Sequence, residues 1–309
     1  MSERAGRDVL LKLECLQQTG SFKVRGASAR LEALDSDERA RGVVACSSGN
    51  HGRAIAFVAG RLDVPATVFV PEWVDPVKLD GITAAGADAR REGKTFDESE
   101  ASAISYAAAQ GMTYVSAYDD PWVIAGQGTL ASEILEQAAA PPSGIVVPLS
   151  GGGLVGGIAA ALQLEATEVG AASPRVIAVS AKNAAVMLAS LKAGRPVDLP
   201  EEDTLASALA GGIGLDNRYS FALVRDLVDE HLTVTEDEIS FAMRYAVERL
   251  RLVLEGGGAV GLAAWLAAPE GIGRDLPEDG PIVLLLSGGN VAASTLAAVL
   301  KGAPSSDVA

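Results

Sequence analysis

Ile145-Val146-Val147-Pro148-Leu149-Ser150-Gly151-Gly152-Gly153-Leu154-Val155-Gly156-Gly157-Ile158 is the stretch on which the reading of this chain turns. Ile145–Leu149 is a short apolar run of strand length, and Ile158–Leu164 has helical character. Glycines join the two. A strand that passes through a glycine turn into a helix is the building unit of a parallel α/β sheet, with ligands at the carboxyl ends of the strands. Glycine lets the backbone approach an anion closely, and a helix start presents unpaired N–H groups at the positive end of its dipole. A phosphate fits there without lysine or arginine.

Working outward, the same unit recurs. Candidate strands are Val9–Leu13, Gly42–Cys46, Ala66–Val70, Thr113–Ser116, Ile145–Leu149, Val176–Ser180 and Ile282–Leu286. They are β-branched and continuous, as expected of parallel strands buried on both faces. Between them the pattern predicts helices over Arg53–Arg61, Ser99–Ala109, Ile124–Ala138, Glu236–Arg249 and Ala259–Ala267. Thr235-Glu236-Asp237-Glu238 reads as a capping box. Gly194–Asn217, rich in Gly, Pro and acidic residues, reads as a long loop or cap. The segment from Gly42 to Tyr118 holds a full set of strand–helix units. This predicts a small domain, 42–118, inserted in a large one formed by 1–41 and 119–309.

The 309 residues are 49% hydrophobic, enough for one large core or two unequal ones. A net charge of −15 argues against nucleic acid as a partner. Cys15 and Cys46 lack metal-like spacing and imply a reducing compartment. Only His51 and His231 are present, too few for a histidine metal site. No apolar run reaches membrane-spanning length and no signal peptide is evident, so a cytoplasmic location is expected.

Three further segments carry chemistry. Residues 151 to 156 match the dinucleotide pattern G-x-G-x-x-G, but the next strand, Val176–Ser180, ends in serine and not in the acid that a ribose needs. Ser47-Ser48-Gly49-Asn50-His51-Gly52 offers hydroxyls, an amide and N–H groups to a carboxylate or phenolic oxygen; an ordinary helix N-cap uses the same residue types. Lys23, in Thr19-Gly20-Ser21-Phe22-Lys23-Val24-Arg25-Gly26-Ala27, sits at the start of a helix running toward Leu34. It is either a solvated helix lysine or a nucleophile whose pKa is lowered by burial or a nearby cation. Ser287-Gly288-Gly289-Asn290 follows a strand, so Ser287 either caps a helix or faces a heterocyclic nitrogen. Glu255, before Gly256-Gly257-Gly258, is either a loop carboxylate or part of the site. A lysine at a helix start, with glycine loops for a phosphate, suggests pyridoxal phosphate held by Lys23 as a Schiff base.

Together these segments, with Lys12-Leu13-Glu14, Ile124-Ala125-Gly126-Gln127-Gly128-Thr129 and Asp237-Glu238-Ile239, resemble the fold-type II pyridoxal phosphate enzymes. Within that family the chain is most similar to the threonine/serine dehydratase and serine racemase branch, over almost its whole length. The resemblance implies a tryptophan synthase β-like α/β fold of two open parallel sheets wrapped by helices. It implies that Lys23 is the Schiff-base lysine and the base at Cα, and that Phe22 packs beside the cofactor ring. Asn50 bonds the ring hydroxyl, while Ser150, Gly151, Gly152, Gly153 and Leu154 hold the phosphate. Ser287 bonds the pyridine nitrogen, with Glu255 nearby. Ser47, Ser48, Gly49, Asn50 and His51 take the substrate carboxylate, and Ser48 lies on the ring face opposite Lys23.

The expected activity is β-elimination from a β-hydroxy amino acid such as L-threonine or L-serine, giving a 2-oxo acid and ammonia. The alternatives are a dehydratase of hydroxyectoine breakdown, with residues 211–218 adapting the pocket, and an amino-acid racemase with Ser48 as second-face acid. A homodimer is expected. Two departures from the family stand out. Family members usually carry a helix and a strand ahead of the segment matching Ser2–Glu14, so a chain extended upstream is expected to be more soluble or more stable. Ser207 stands where they often have an acid beside a divalent cation; Asp203 and Asp216 are the carboxylates left for such an ion. The regulatory extension of feedback-controlled dehydratases has no counterpart here, so no such control is expected.

Overall fold

In a computed structural model of the chain, described for residues 1–2, 7–47, 49–72, 74, 76–268, 272, 276–277 and 280–302, the strands assemble into two sheets. The first sheet has the order β1 (Val9–Lys12), β9 (Ile282–Leu285), β6 (Gly144–Pro148), β7 (Arg175–Ala181), β8 (Glu230–Val234). The second has the order β4 (Asp88–Arg91), β3 (Ala66–Val70), β2 (Val43–Cys46), β5 (Thr113–Tyr114). Every pairing is parallel. Parallel strands need crossovers, and helices supply them. They are α1 (Lys23–Glu32), α2 (Ser36–Arg41), α3 (Asn50–Leu62), α4 (Pro76–Ala84), α5 (Phe96–Gln110), α6 (Pro121–Gln137) and α7 (Gly153–Val169). After β7 come α8 (Val186–Ala193), α9 (Ser220–Leu227), α10 (Glu236–Tyr245), α11 (Gly256–Ala267) and α12 (Ala293–Lys301).

The central strands β2, β6 and β9 are buried at every position, which is why they read as unbroken apolar runs. Two strands were not expected from the sequence, β4 and β8, and both are edges. β4 is Asp-Ala-Arg-Arg, with exposed ends; charges of this kind keep a sheet edge from pairing further, and they erase the apolar signal. β8, Glu-His-Leu-Thr-Val, buries only Val234. The expected helix Glu236–Arg249 stops as α-helix at Tyr245 and continues as a π-helical turn, Ala246–Leu250, ending at Arg251 with φ 60°. Between α8 and α9, residues 194–217 carry only one short 3₁₀ turn, Ser207–Leu209, and lie over the cavity described below.

Helix α1 holds the two sheets' surroundings together. Its buried Ala27 and Leu31 pack with Val43, Ala45, Ala54 and Ile55 of the second sheet's layer, and also with Val123 of α6. Gly26 and Gly126 allow α1 and α6 to cross closely; a Cβ at Gly126 would lie 2.6 Å from the Arg25 carbonyl.

Candidate active site

A cavity of about 270 Å³ opens at the carboxyl ends of the strands. Lys23 begins α1 at its wall. The turn before it is fixed by an isolated bridge between Ser21 and Gly288 and by the Phe22 N–H donating to the Ser287 carbonyl at 3.0 Å. The Lys23 amine donates to the Ala117 carbonyl at 2.7 Å and stands 5.2 Å from the Phe22 ring centroid. Burial pushes this amine down to about 8, against the opposing pull of Glu255. The amine is therefore buried and more easily deprotonated than a surface lysine.

The loop after β2 forms the second wall. Ser47 is buried, and its hydroxyl accepts from the Gly49 N–H at 3.2 Å. Asn50 donates to Glu255 at 2.5 Å and accepts from the Asn290 amide at 2.7 Å. His51 is buried with its Nε2 3.0 Å from the Val115 carbonyl, which makes Nε2 the protonated nitrogen; Nδ1 is buried without a partner. Burial, then the neighbouring Lys23, pushes the imidazole down to about 3, so it stays neutral. Ser48, expected on the opposite ring face, lies outside the described residues.

The glycine turn forms the third wall. Gly152 has φ +87°, a conformation suited to glycine. A Cβ at Gly151 would lie 2.3 Å from the Tyr118 ring, and one at Gly153 2.4 Å from the Tyr118 carbonyl. Ser150 donates its hydroxyl to the Leu209 carbonyl at 2.9 Å, so the residues over the cavity are tied to this turn. Leu154 is buried in the first turn of α7. Ser287, at the end of β9, is also buried at the cavity wall, and Glu255 sits so close to Gly288 that a Cβ there would meet its Oε1 at 2.1 Å.

Some helix starts carry a side-chain cap and others, including those of α8 and α12 away from the cavity, do not. Asp35, Thr95, Asp120 and Thr235 cap α2, α5, α6 and α11's neighbour α10 with side-chain oxygens. The starts of α3, α7 and α11 at the cavity have no side-chain cap. Their first-turn N–H groups are left for an anion.

The structure brings Phe22, Lys23, Ser47, Gly49, Asn50, His51, Ser150 to Leu154, Glu255 and Ser287 around one cavity. Tyr118, the Ala117 carbonyl and Arg53 also line it and were not singled out from sequence. No residue pattern marks a carbonyl that will hold a lysine 94 positions away. Arg53 had a signal, a cation in the first turn of a helix, where the dipole disfavours it. Asp203 offers its backbone carbonyl to Asn183, and among the described residues no group of three or more His, Cys, Asp or Glu side chains is placed to hold a metal. No described helix is long and apolar enough to cross a membrane.

Comparison with known proteins agrees with this geometry. The chain is 39% identical over 291 residues to a putative threonine dehydratase of Sinorhizobium fredii, covering 94% of this chain and 84% of that protein. An L-threonine ammonia-lyase of Thermotoga maritima is 38% identical over 291 residues, 94% of this chain and 69% of that one. Among solved structures, the processed threonine deaminase isoform 2 of Solanum lycopersicum superposes with TM-score 0.87 at 34% identity, covering 98% and 85% of the two chains. Maize serine racemase gives TM-score 0.87 at 33% identity, covering 96% and 88%. The model of the family described as pyridoxal-phosphate dependent enzyme matches residues 1–288, and the chain belongs to that family.

Proposed function

We infer that this chain is a pyridoxal phosphate-dependent ammonia-lyase that converts a β-hydroxy amino acid such as L-threonine or L-serine into a 2-oxo acid and ammonia. The observation that carries this reading is that a buried, pKa-lowered amine and an uncapped glycine turn line the same cavity. The residues fit the cofactor: Lys23 for its aldehyde, the N–H groups of residues 151–154 for its phosphate, and Ser287 for its ring nitrogen. Asn50, held by its bond to Glu255, would take the ring oxygen, and Phe22 would flank the ring. When bound, the cofactor supplies an electron sink for negative charge at Cα.

The chain's own residues do the rest. Ser47, Gly49, Asn50 and His51 would offer a hydroxyl, an amide and N–H groups to the substrate carboxylate, with Ser48 assigned to the same task by the family resemblance alone. Lys23, once neutral, removes the Cα proton with its Nζ. The hydroxyl leaves Cβ as water after gaining a proton. The released enamine tautomerises, and one water returns to hydrolyse it to the oxo acid and ammonium. Ser287 would hold the ring nitrogen with a neutral hydroxyl, which cannot supply the charge of a carboxylate partner there. The same reading takes the enzyme as a cytoplasmic homodimer acting on a small amino acid; the two buried, free cysteines support a reducing compartment.

Purified protein with pyridoxal phosphate, given a panel of β-hydroxy amino acids, is expected to release oxo acid and ammonium in equal amounts. No release from any of them, with the cofactor bound, would overturn the assignment. A racemase reading rests on the likeness to serine racemases. Formation of the D-isomer faster than oxo acid from L-serine would favour it.

A further inference from the structure

Arg53 lines the cavity and has no part in the cofactor-holding set described above. It lies in the first turn of α3, at the positive end of the helix dipole, where a cation is disfavoured by a few tenths of a kcal/mol to about 1. The helix start beside it has no side-chain cap and no acidic residue in its first turn. The guanidinium reaches the cavity wall. Among the described residues one of its five N–H donors is used, from Nη1 to the Asn290 Oδ1 at 3.2 Å. Nη2 lies 3.6 Å from where a Cβ would stand at Gly81, ordinary contact distance, so the arm runs alongside the residue-81 backbone. Among the described residues no carboxylate pairs with it, and Glu255, which also lines the cavity, accepts from Asn50. A half-buried guanidinium in the first turn of a helix with no side-chain cap puts two positive sources at the same cavity wall. Both ask for a carboxylate.

We propose that Arg53 is the carboxylate-recognition arm of the substrate pocket, so that amino acids are held by a guanidinium–carboxylate pair in addition to the loop N–H groups. The inference rests on the ammonia-lyase reading for its substrate, but not for its test. Asn290 links Arg53 to Asn50 and to the Thr19 carbonyl, so carboxylate binding at Arg53 is transmitted to the turn that carries Lys23.

The test compares the wild type with Arg53→Gln, which keeps a donor for Asn290 but loses the charge, and with Arg53→Lys, which keeps the charge. In turnover, the wild type is expected to prefer L-threonine over L-threoninamide, and Arg53→Gln is expected to raise KM for the acid roughly 30-fold or more with a smaller change in kcat. The acid-over-amide preference should collapse in Arg53→Gln and return in part in Arg53→Lys. Independently of turnover, calorimetry of the cofactor-free protein should show malonate binding that Arg53→Gln loses. An acid-over-amide preference that survives in Arg53→Gln, or malonate binding unchanged by it, would overturn the proposal. If no β-hydroxy amino acid is turned over while malonate binding still depends on Arg53, the lyase reading fails and the carboxylate arm stands.

Discussion

Lys23 shows how one residue's chemistry is set against stability. Below its lowered value near 8 the folded protein carries a buried charge that the unfolded chain solvates freely. The cost is full below about 8 and fades as pH rises toward the ordinary lysine value of 10.5. A cofactor-free Lys23→Met protein should therefore unfold at a higher temperature than the wild type at pH 7, with the margin gone near pH 10.5. Thermal unfolding followed by circular dichroism at the two pH values measures this; an equal margin at both would contradict it. The same variant should show no turnover. Lys23 itself was legible because its neighbours were: helix start, glycine and phenylalanine in one short run. Tyr118 was not. Its role follows only from contact with Gly151 and Gly153, more than thirty residues on in sequence, so the three glycines read as a phosphate turn while half their reason is an aromatic wall. Gly153→Ala should lower cofactor affinity at least tenfold, because the added methyl strikes the backbone of residue 118 and not a movable side-chain tip. Cofactor titration by absorbance reads the loss.

At the scale of elements, α1 is held at the right depth by charge. Arg25 bonds both oxygens of Glu14, at 2.7 and 2.9 Å, and both of Glu133, at 2.6 and 2.7 Å. Lys12 reaches Glu133 from β1 at 2.5 Å. This network ties α1 to the segment after β1 and to α6, from a residue two positions beyond Lys23. Glu14 is 2% exposed, so Arg25→Ala leaves a buried carboxylate without its cation, a loss of about 3–5 kcal/mol. Denaturant titration should show that loss; less than 1 kcal/mol would mean water reaches Glu14. Arg25 holds the Glu133 carboxylate down to about 2. Its contribution is present above the usual carboxylate value of 4.5 and disappears as pH falls from there toward 2. Glu133→Gln should accordingly flatten the acid limb of the stability curve over that range. Strands buried on both faces were legible as elements because burial demands uninterrupted apolar residues, as in Val43–Cys46 and Ile282–Leu285. β4 and β8 were not, because an edge strand is selected for not pairing, and its charges hide it. The π-turn after α10 was equally hidden, since its residues, Ala-Val-Glu-Arg-Leu, suit an α-helix by propensity.

In the whole molecule, the site exists only where the two sheets' loops meet. Lys23, the glycine turn and Ser287 come from the first sheet's connections; Ser47, Gly49, Asn50 and His51 come from the second's. Asn50 and Glu255, 205 residues apart, close the seam between them. A ligand that touches both sides binds the folded protein and not the unfolded one, so it stabilises by mass action, about 2.7 kcal/mol at a hundredfold excess over Kd. Pyridoxal phosphate should therefore raise the unfolding midpoint and make loss of cofactor absorbance coincide with loss of helix signal. Inorganic phosphate, too small to span both sides of the seam, should raise it less at equal occupancy of the glycine turn. Because the helix starts at the cavity lack side-chain caps, the cofactor-free protein should also exchange its first-turn amides in α3 and α7 faster than those of the capped α5 and α6. Hydrogen exchange with and without cofactor checks this directly: protection gained at α7 alone would place the ligand on one sheet, while protection gained at both α3 and α7 is what a seam-closing cofactor requires.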